Sequence, residues 1–148
     1  LTSIPFEKMQ YMEKNDSLFY GEGYVVEEGN DIVIFSYNPY MLNESIKVAQ
    51  ILNKKNISAK IINFPWLNAI NIDWFYHITE NIEYIFTIED HFVFTGQGSF
   101  INSKISDKYI YNFGLNDIPV SGSSEEVLDY HNLNANFLAE KILQKLQN

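Results

Sequence analysis

Cysteine is absent from all 148 residues, which excludes a disulfide framework, a thiolate metal site and a cysteine nucleophile. Positive charge is scarce as well. Lys and Arg total 10 against 19 Asp and Glu, a formal net charge of -9 that argues against a phosphate-backbone partner and puts nucleic-acid binding last among the function classes. No run of about 18 apolar residues occurs, so no apolar membrane-spanning helix is encoded, and the N-terminus lacks a basic-then-apolar signal pattern. The chain therefore reads as cytoplasmic, with neither nucleic acid nor membrane as partner. Missing too are a Gly-Lys-Ser or Gly-Lys-Thr phosphate loop, a Gly-x-Ser-x-Gly nucleophile elbow and any pair of histidines at metal-ligand spacing among His77, His91 and His131. No self-contained catalytic apparatus and no metal site is expected.

What remains is apolar and aromatic. Hydrophobic residues make up 46% and aromatic ones 16%, enough for one domain that buries roughly 70% of the surface its unfolded chain would expose. Residues 1–18 lack periodicity, carry Pro5 and start without an initiator Met, which reads as a linker from a preceding domain; residues 19–148 read as the domain itself.

From Gly21 onward, strand and helix patterns alternate. Residues 24–27 form a short strand closing on Gly29-Asn30, a turn through which it is expected to pair antiparallel with the next strand. Residues 31–37, DIVIFSY, are almost continuously apolar and β-branched, as in a strand buried on both faces. After Asn38-Pro39, apolar residues recur at helical spacing up to Lys54-Lys55-Asn56, and residues 57–64 return as a strand, a crossover that commits the sheet to parallel pairing. A second crossover follows, with a helix from the cap Asn71 to Asn81 and a strand over residues 84–88. A helix over residues 99–108, a last strand over 109–113, a short helix capped by Ser123 or Ser124 and a terminal helix capped by Asn134 complete the pattern.

Ionisable groups, a glycine turn and a helix start converge only in residues 85–100, IFTIEDHFVFTGQGSF. The strand, then Glu89-Asp90-His91, then Gly96-Gln97-Gly98-Ser99, lie where open α/β sheets present ligands or partner surfaces. Glu89, Asp90, His91, Gly96, Gly98 and Ser99 are the candidate anion-binding or interface edge. Two readings of the turn stay open: an anion-binding nest of backbone N–H groups, or a tight strand-to-helix connection capped by Ser99. Trp66, Trp74, Phe92 and Phe94 flank the strand ends as core or as docking surface.

The order of these segments resembles the C-terminal domain of transketolase and its thiamine diphosphate-dependent relatives. It is carried by Gly21-Glu22-Gly23, by Val25 to Ile34, by Ser45 to Leu52, by Ala59-Lys60-Ile61-Ile62, by Ile88-Glu89-Asp90-His91, by Gly96-Gln97-Gly98-Ser99, and by Gly114 to Asp117 with Val120 to Leu128. Thr95 stands where the family often has glycine, and Asn63 and Asn71 where it often has aspartate.

The resemblance implies a three-layer α/β/α domain with a five-stranded, mostly parallel mixed sheet whose first strand is antiparallel. It implies an enzyme moving two-carbon ketol units between sugar phosphates, with thiamine diphosphate and magnesium held by separate pyrimidine- and diphosphate-binding domains or subunits. This domain would support a homodimer and carry no catalytic, cofactor or metal residue of its own. A 1-deoxy-D-xylulose-5-phosphate synthase-like enzyme is the nearest alternative, and a stand-alone anion- or partner-binding regulatory module is the other.

Overall fold

A computed structural model of the chain describes residues 17–147; the expected linker over residues 1–18 lies almost wholly outside them. The order of elements is β1 (Tyr24–Glu27), β2 (Ile32–Ser36), α1 (Pro39–Asn53), β3 (Ala59–Asn63), α2 (Ile72–Ile78), β4 (Tyr84–Phe92), α3 (Gln97–Lys104), β5 (Ile110–Leu115), α4 (Ser124–Tyr130) and α5 (Ala135–Leu146). The strands form one sheet in the order β1-β3-β2-β4-β5, with β1 antiparallel to β3 and every other pairing parallel. The expected mixed sheet between helical layers is therefore present.

β2 is buried at every position because helices cover both faces of the sheet, which is why its sequence shows no polar alternation. Successive side chains nonetheless part to opposite faces. Ile32, Ile34, Ile61, Phe86 and Ile88 pack with Leu42, Val48 and Leu52 of α1 and Leu138 and Ile142 of α5. Val33, Phe35, Ile62, Phe64 and Ile85 pack on the other face with Phe75 of α2 and Ile101 of α3. The second face is aromatic: Phe35 stacks on Phe75 at 5.4 Å between ring centroids, and Phe64 stacks on Trp74 at 5.7 Å.

β1 does not pair with β2 through the Gly29-Asn30 turn as the sequence suggests. The turn is pinned instead to the start of β3, where Ser58 Oγ accepts from Asn30 N at 3.0 Å and Ser58 N donates to Asp31 Oδ2 at 2.6 Å. Gly29 passes so close that a Cβ there would lie 2.3 Å from the Ala59 carbonyl carbon, and the chain, having run along the outer edge of β3 as β1, crosses the start of β3 to reach β2.

Helix ends also shift for local reasons. α1 stops at Asn53 and α2 at Ile78, short of the expected Asn56 and Asn81, and both asparagines sit at positive φ, 59° and 60°, conformations that cannot continue a helix. β4 runs on past Ile88 to Phe92 because β5 stays beside it, Phe92 pairing with Leu115 after an irregular register. Among the described residues no helix is long and apolar enough to cross a membrane.

Candidate functional site

β2 and β4 lie side by side with Ser36 opposite Ile88, and Ser36 Oγ donates to the Ile88 carbonyl at 2.9 Å. One step further along both chains, the Tyr37 hydroxyl donates to Glu89 Oε2 at 3.3 Å; two steps further, Asn38 Nδ2 donates to Asp90 Oδ1 at 2.8 Å. The parallel register thus assembles the carboxyl edge from residues about fifty positions apart in sequence.

Glu89 is the centre of this edge. It is fully buried, and its carboxylate accepts from the backbone N–H of Gln97 at 2.7 Å and of Gly98 at 2.9 Å. A carboxylate at a helix N-terminus satisfies donors that the helix cannot pair itself and complements its dipole. Gly96 permits the approach: a Cβ there would stand 2.2 Å from Glu89 Oε2. α3 consequently begins at Gln97 rather than at Ser99. Ser99 is no cap; it lies in the first turn, where its hydroxyl donates to the Phe94 carbonyl at 3.0 Å.

Gln97, between the two glycines, extends the arrangement to the neighbouring strand. Its buried side-chain Nε2 donates to the carbonyls of Phe64 at 2.7 Å and Trp66 at 2.9 Å, tying the start of α3 to the segment leaving β3. Behind it, Thr87 Oγ1 and Asn102 Nδ2 both donate to Asn112 Oδ1 at 3.1 Å, packed so tightly against Gly98 that a Cβ would meet Thr87 Oγ1 at 2.3 Å.

Of the sequence candidates, Glu89, Gly96 and Gly98 come together, Ser99 follows Gly98 in the first turn of α3, and Asp90 turns outward to Asn38. His91 is exposed, and its backbone carbonyl borders Gly114. An external anion at the Gln97 and Gly98 N–H groups would have to displace Glu89. His77 lies in the last turn of α2 and His131 closes α4. The aromatic residues divide: Trp66 donates its Nε1 to the Glu22 carbonyl at 2.8 Å and Trp74 joins the aromatic face, while Phe92 and Phe94 are exposed. Tyr37, Asn38 and Gln97 were not singled out in the sequence; the signal that finds them is the parallel β2–β4 register, with Gln97 lying inside the glycine turn.

Burial pushes the Glu89 carboxyl above its ordinary range, against the opposing pull of the Gly98 and Gln97 N–H groups, the Tyr37 hydroxyl and His91. The Tyr37 hydroxyl is held well above the usual tyrosine value, by burial first and then by the Glu89 and Asp90 charges. A folded state that holds the Glu89 proton more tightly than the unfolded chain gains stability below the ordinary glutamate value and loses it as pH rises through the raised one. The stability of the protein minus that of its Glu89→Gln variant should therefore decline with pH just above the ordinary glutamate range, in urea titrations at closely spaced pH values. A difference that rises with pH there would contradict the assignment.

Asn38 is a second constrained point, with φ 57° and ψ 157°, a conformation seldom adopted by a residue with a side chain. Its side chain accepts from Met41 N at 3.0 Å as the cap of α1 while donating to Asp90. Asn38→Ala removes both bonds and should cost about 1–2 kcal/mol, measured by chemical unfolding; a cost below a few tenths would show that the cap is not needed.

The fold and this edge can be set beside known proteins. The sequence profile of the family described as transketolase, C-terminal domain, matches residues 21–137. The chain belongs to that family. Among relatives, a putative transketolase C-terminal section from Methanocaldococcus jannaschii is 25% identical over 132 residues, covering 86% of this chain and 40% of its own length. A 1-deoxy-D-xylulose-5-phosphate synthase from Caldanaerobacter subterraneus subsp. tengcongensis is 27% identical over 130 residues, 84% of this chain and 21% of that protein. The fold is shared with a split-gene transketolase described as an inactive beta4 tetramer, at TM-score 0.83 and 20% identity over 94% of this chain and 46% of the other. A transketolase from Pichia stipitis aligns at TM-score 0.62 and 17% identity over 84% of this chain and 18% of the other. This transketolase C-terminal-like chain thus spans less than half the length of these relatives.

Proposed function

We infer that the chain is the C-terminal domain, residues 19–148 following a linker, of a thiamine diphosphate-dependent transketolase-like enzyme that transfers a two-carbon ketol unit between sugar phosphates. The family match over residues 21–137 carries this reading. The domain's part is architectural: it buttresses neighbouring domains and a homodimer in the cytoplasm, and chemistry proceeds elsewhere.

The polar groups of the edge support that division. The N–H groups that begin α3 are engaged by Glu89, and the described residues hold no cluster of three His, Asp or Glu that could grip a metal. These residues do not fit a diphosphate and its magnesium, so the cofactor would be held by the pyrimidine- and diphosphate-binding domains or subunits. A stand-alone anion-binding module would need the α3 N–H groups free, and the geometry disfavours it. The candidate edge of Glu89, Asp90, His91, Gly96, Gly98 and Ser99 then serves as an interface, with Glu89 and the glycines shaping it from within.

Calorimetric titration of the isolated chain with thiamine diphosphate and magnesium should give no binding heat, and saturable binding would overturn the division of labour. The complete enzyme should convert a ketose phosphate and an aldose phosphate by ketol exchange. Formation of 1-deoxy-D-xylulose 5-phosphate instead would select the second reading.

A further inference from the structure

The charge of the described residues is segregated along the strand direction. The chain contains no arginine, and the described lysines lie at mid-helix or toward the amino edge of the sheet. Lys54 and Lys55 follow α1, Lys60 opens β3, Lys104 closes α3, Lys108 precedes β5, and Lys145 reaches the ring of Tyr111 near the start of β5 at 5.2 Å. Lys47 and Lys141 sit in the middle of their helices, Lys47 already paired with Glu44 at 2.8 Å. Among the described residues the carboxyl edge carries no lysine: beside His91 and His131 its ionisable groups are acidic, with Glu22 before β1, Asp73 in the first turn of α2, Asp90 on β4, Asp117 after β5, Glu125 in the first turn of α4, and Asp129 at the junction of α4 with α5. At the amino edge, by contrast, Glu27, Glu28, Asp31, Glu80, Glu83 and Asp107 stand among the lysines.

Exposed apolar side chains follow the same polarity. Tyr20 and Leu67 beside the β1–β3 end, Phe92 and Phe94 beyond β4, and Ile118 and Val120 beyond β5 all lie at the carboxyl edge, Phe94 being 80% and Ile118 77% exposed. Among the described residues, Tyr109 is the exposed large apolar residue at the amino edge. Glu89 and Gln97 lock the strand end and helix start beneath Phe92 and Phe94, so the patch rests on a fixed frame.

We propose that the carboxyl edge is a docking surface for a protein of different sequence, whose contact face carries apolar side chains within a rim of Lys and Arg. Charge complementarity selects this occupant. A second copy presenting the same edge would set acidic rim against acidic rim with no lysine among the described residues between them, and an anionic membrane or phosphate-bearing ligand would meet the same repulsion. A homodimer of the enzyme then uses another face. The surface stands on charge and exposure and does not depend on which reaction the enzyme catalyses.

The test uses the full-length polypeptide in its own cells, with Phe94→p-benzoylphenylalanine or Ile118→p-benzoylphenylalanine as a photo-cross-linker and Tyr109→p-benzoylphenylalanine as the amino-edge control. Adducts from positions 94 and 118, mapped by mass spectrometry, should fall on a segment of different sequence rich in Lys or Arg, and position 109 should not reach that segment. Asp117→Lys with Glu125→Lys should reduce adduct yield at least fivefold in low salt, with the difference shrinking as salt screens the contact, whereas Glu80→Lys should not. Adducts to a second copy of residues 17–147, to a segment without basic residues, to lipid, or none at all would overturn the proposal, as would an equal loss from Glu80→Lys. A basic-rimmed partner in an assembly devoid of thiamine diphosphate chemistry would uphold this surface and defeat the functional reading; adducts to a second copy in an active ketol transferase would do the reverse.

Discussion

Glu89→Ala should destabilise the protein by about 3 kcal/mol, since it leaves the N–H groups of Gln97 and Gly98 buried without an acceptor. Each orphaned buried donor costs about 1–3 kcal/mol, and release of the carboxylate from its desolvated site returns part of that. Glu89→Gln keeps one carbonyl oxygen for one of the two donors but turns an amide NH2 toward the other, so its cost should fall between wild type and alanine, about 1–2 kcal/mol. Urea unfolding at neutral pH with an unchanged m-value checks the order. If Glu89→Gln matched or exceeded the wild type, burial of the charge would outweigh its hydrogen bonds, and Glu89 would be a liability retained for another reason. The same substitution frees the start of α3 for an external anion. Sulfate should stabilise Glu89→Ala more than wild type, because only the variant presents unpaired N–H groups at a helix N-terminus.

The position of Glu89 in the chain was legible; its role was not. A polar step at the end of an apolar strand, followed by a glycine turn, marks the edge of a parallel sheet in any α/β sequence. The identity of the group seated on the α3 N–H groups depends on how far β4 continues. The sequence suggests an end at Ile88, where the apolar run stops, but pairing of Phe92 with Leu115 carries the strand four residues further and delivers Glu89 to the helix start. Asn38 and Tyr37 were hidden for a related reason: their partners sit about fifty residues away and become neighbours only once β2 and β4 are known to be adjacent. β1 shows the opposite failure. A short glycine turn between two strands is the usual mark of a hairpin, yet Ser58 and Asp31 pin that turn to β3, and hydrogen bonds between residues 27 positions apart outweigh local turn chemistry. The buried strands, the helix caps at Asn71 and Asn134 and the sequential crossovers were readable because each is encoded by a handful of adjacent residues.

Phe35→Ala should be the most costly single truncation considered, about 4 kcal/mol, because it removes a fully buried ring from a packed core that cannot collapse around the void. Phe35 touches three other rings: Phe75 stacked at 5.4 Å, Phe64 edge-on at 5.9 Å and Trp74 at 6.2 Å. Phe64 in turn accepts from Gln97 Nε2 through its carbonyl, so the aromatic face and the edge share a residue. A double-mutant cycle of Phe35→Ala with Gln97→Ala should therefore show a coupling of about 0.5–1 kcal/mol, in contrast to near-additivity between Phe35→Ala and Leu138→Ala, which lies in the core on the opposite face. Additive behaviour in both cycles would mean that the edge is held by Glu89 and its hydrogen bonds alone. Coupling in the first cycle only would mean that the ring stack beneath β2 and β3 helps fix the frame on which Phe92 and Phe94 are displayed, so that a core substitution far from the surface would also loosen whatever docks there.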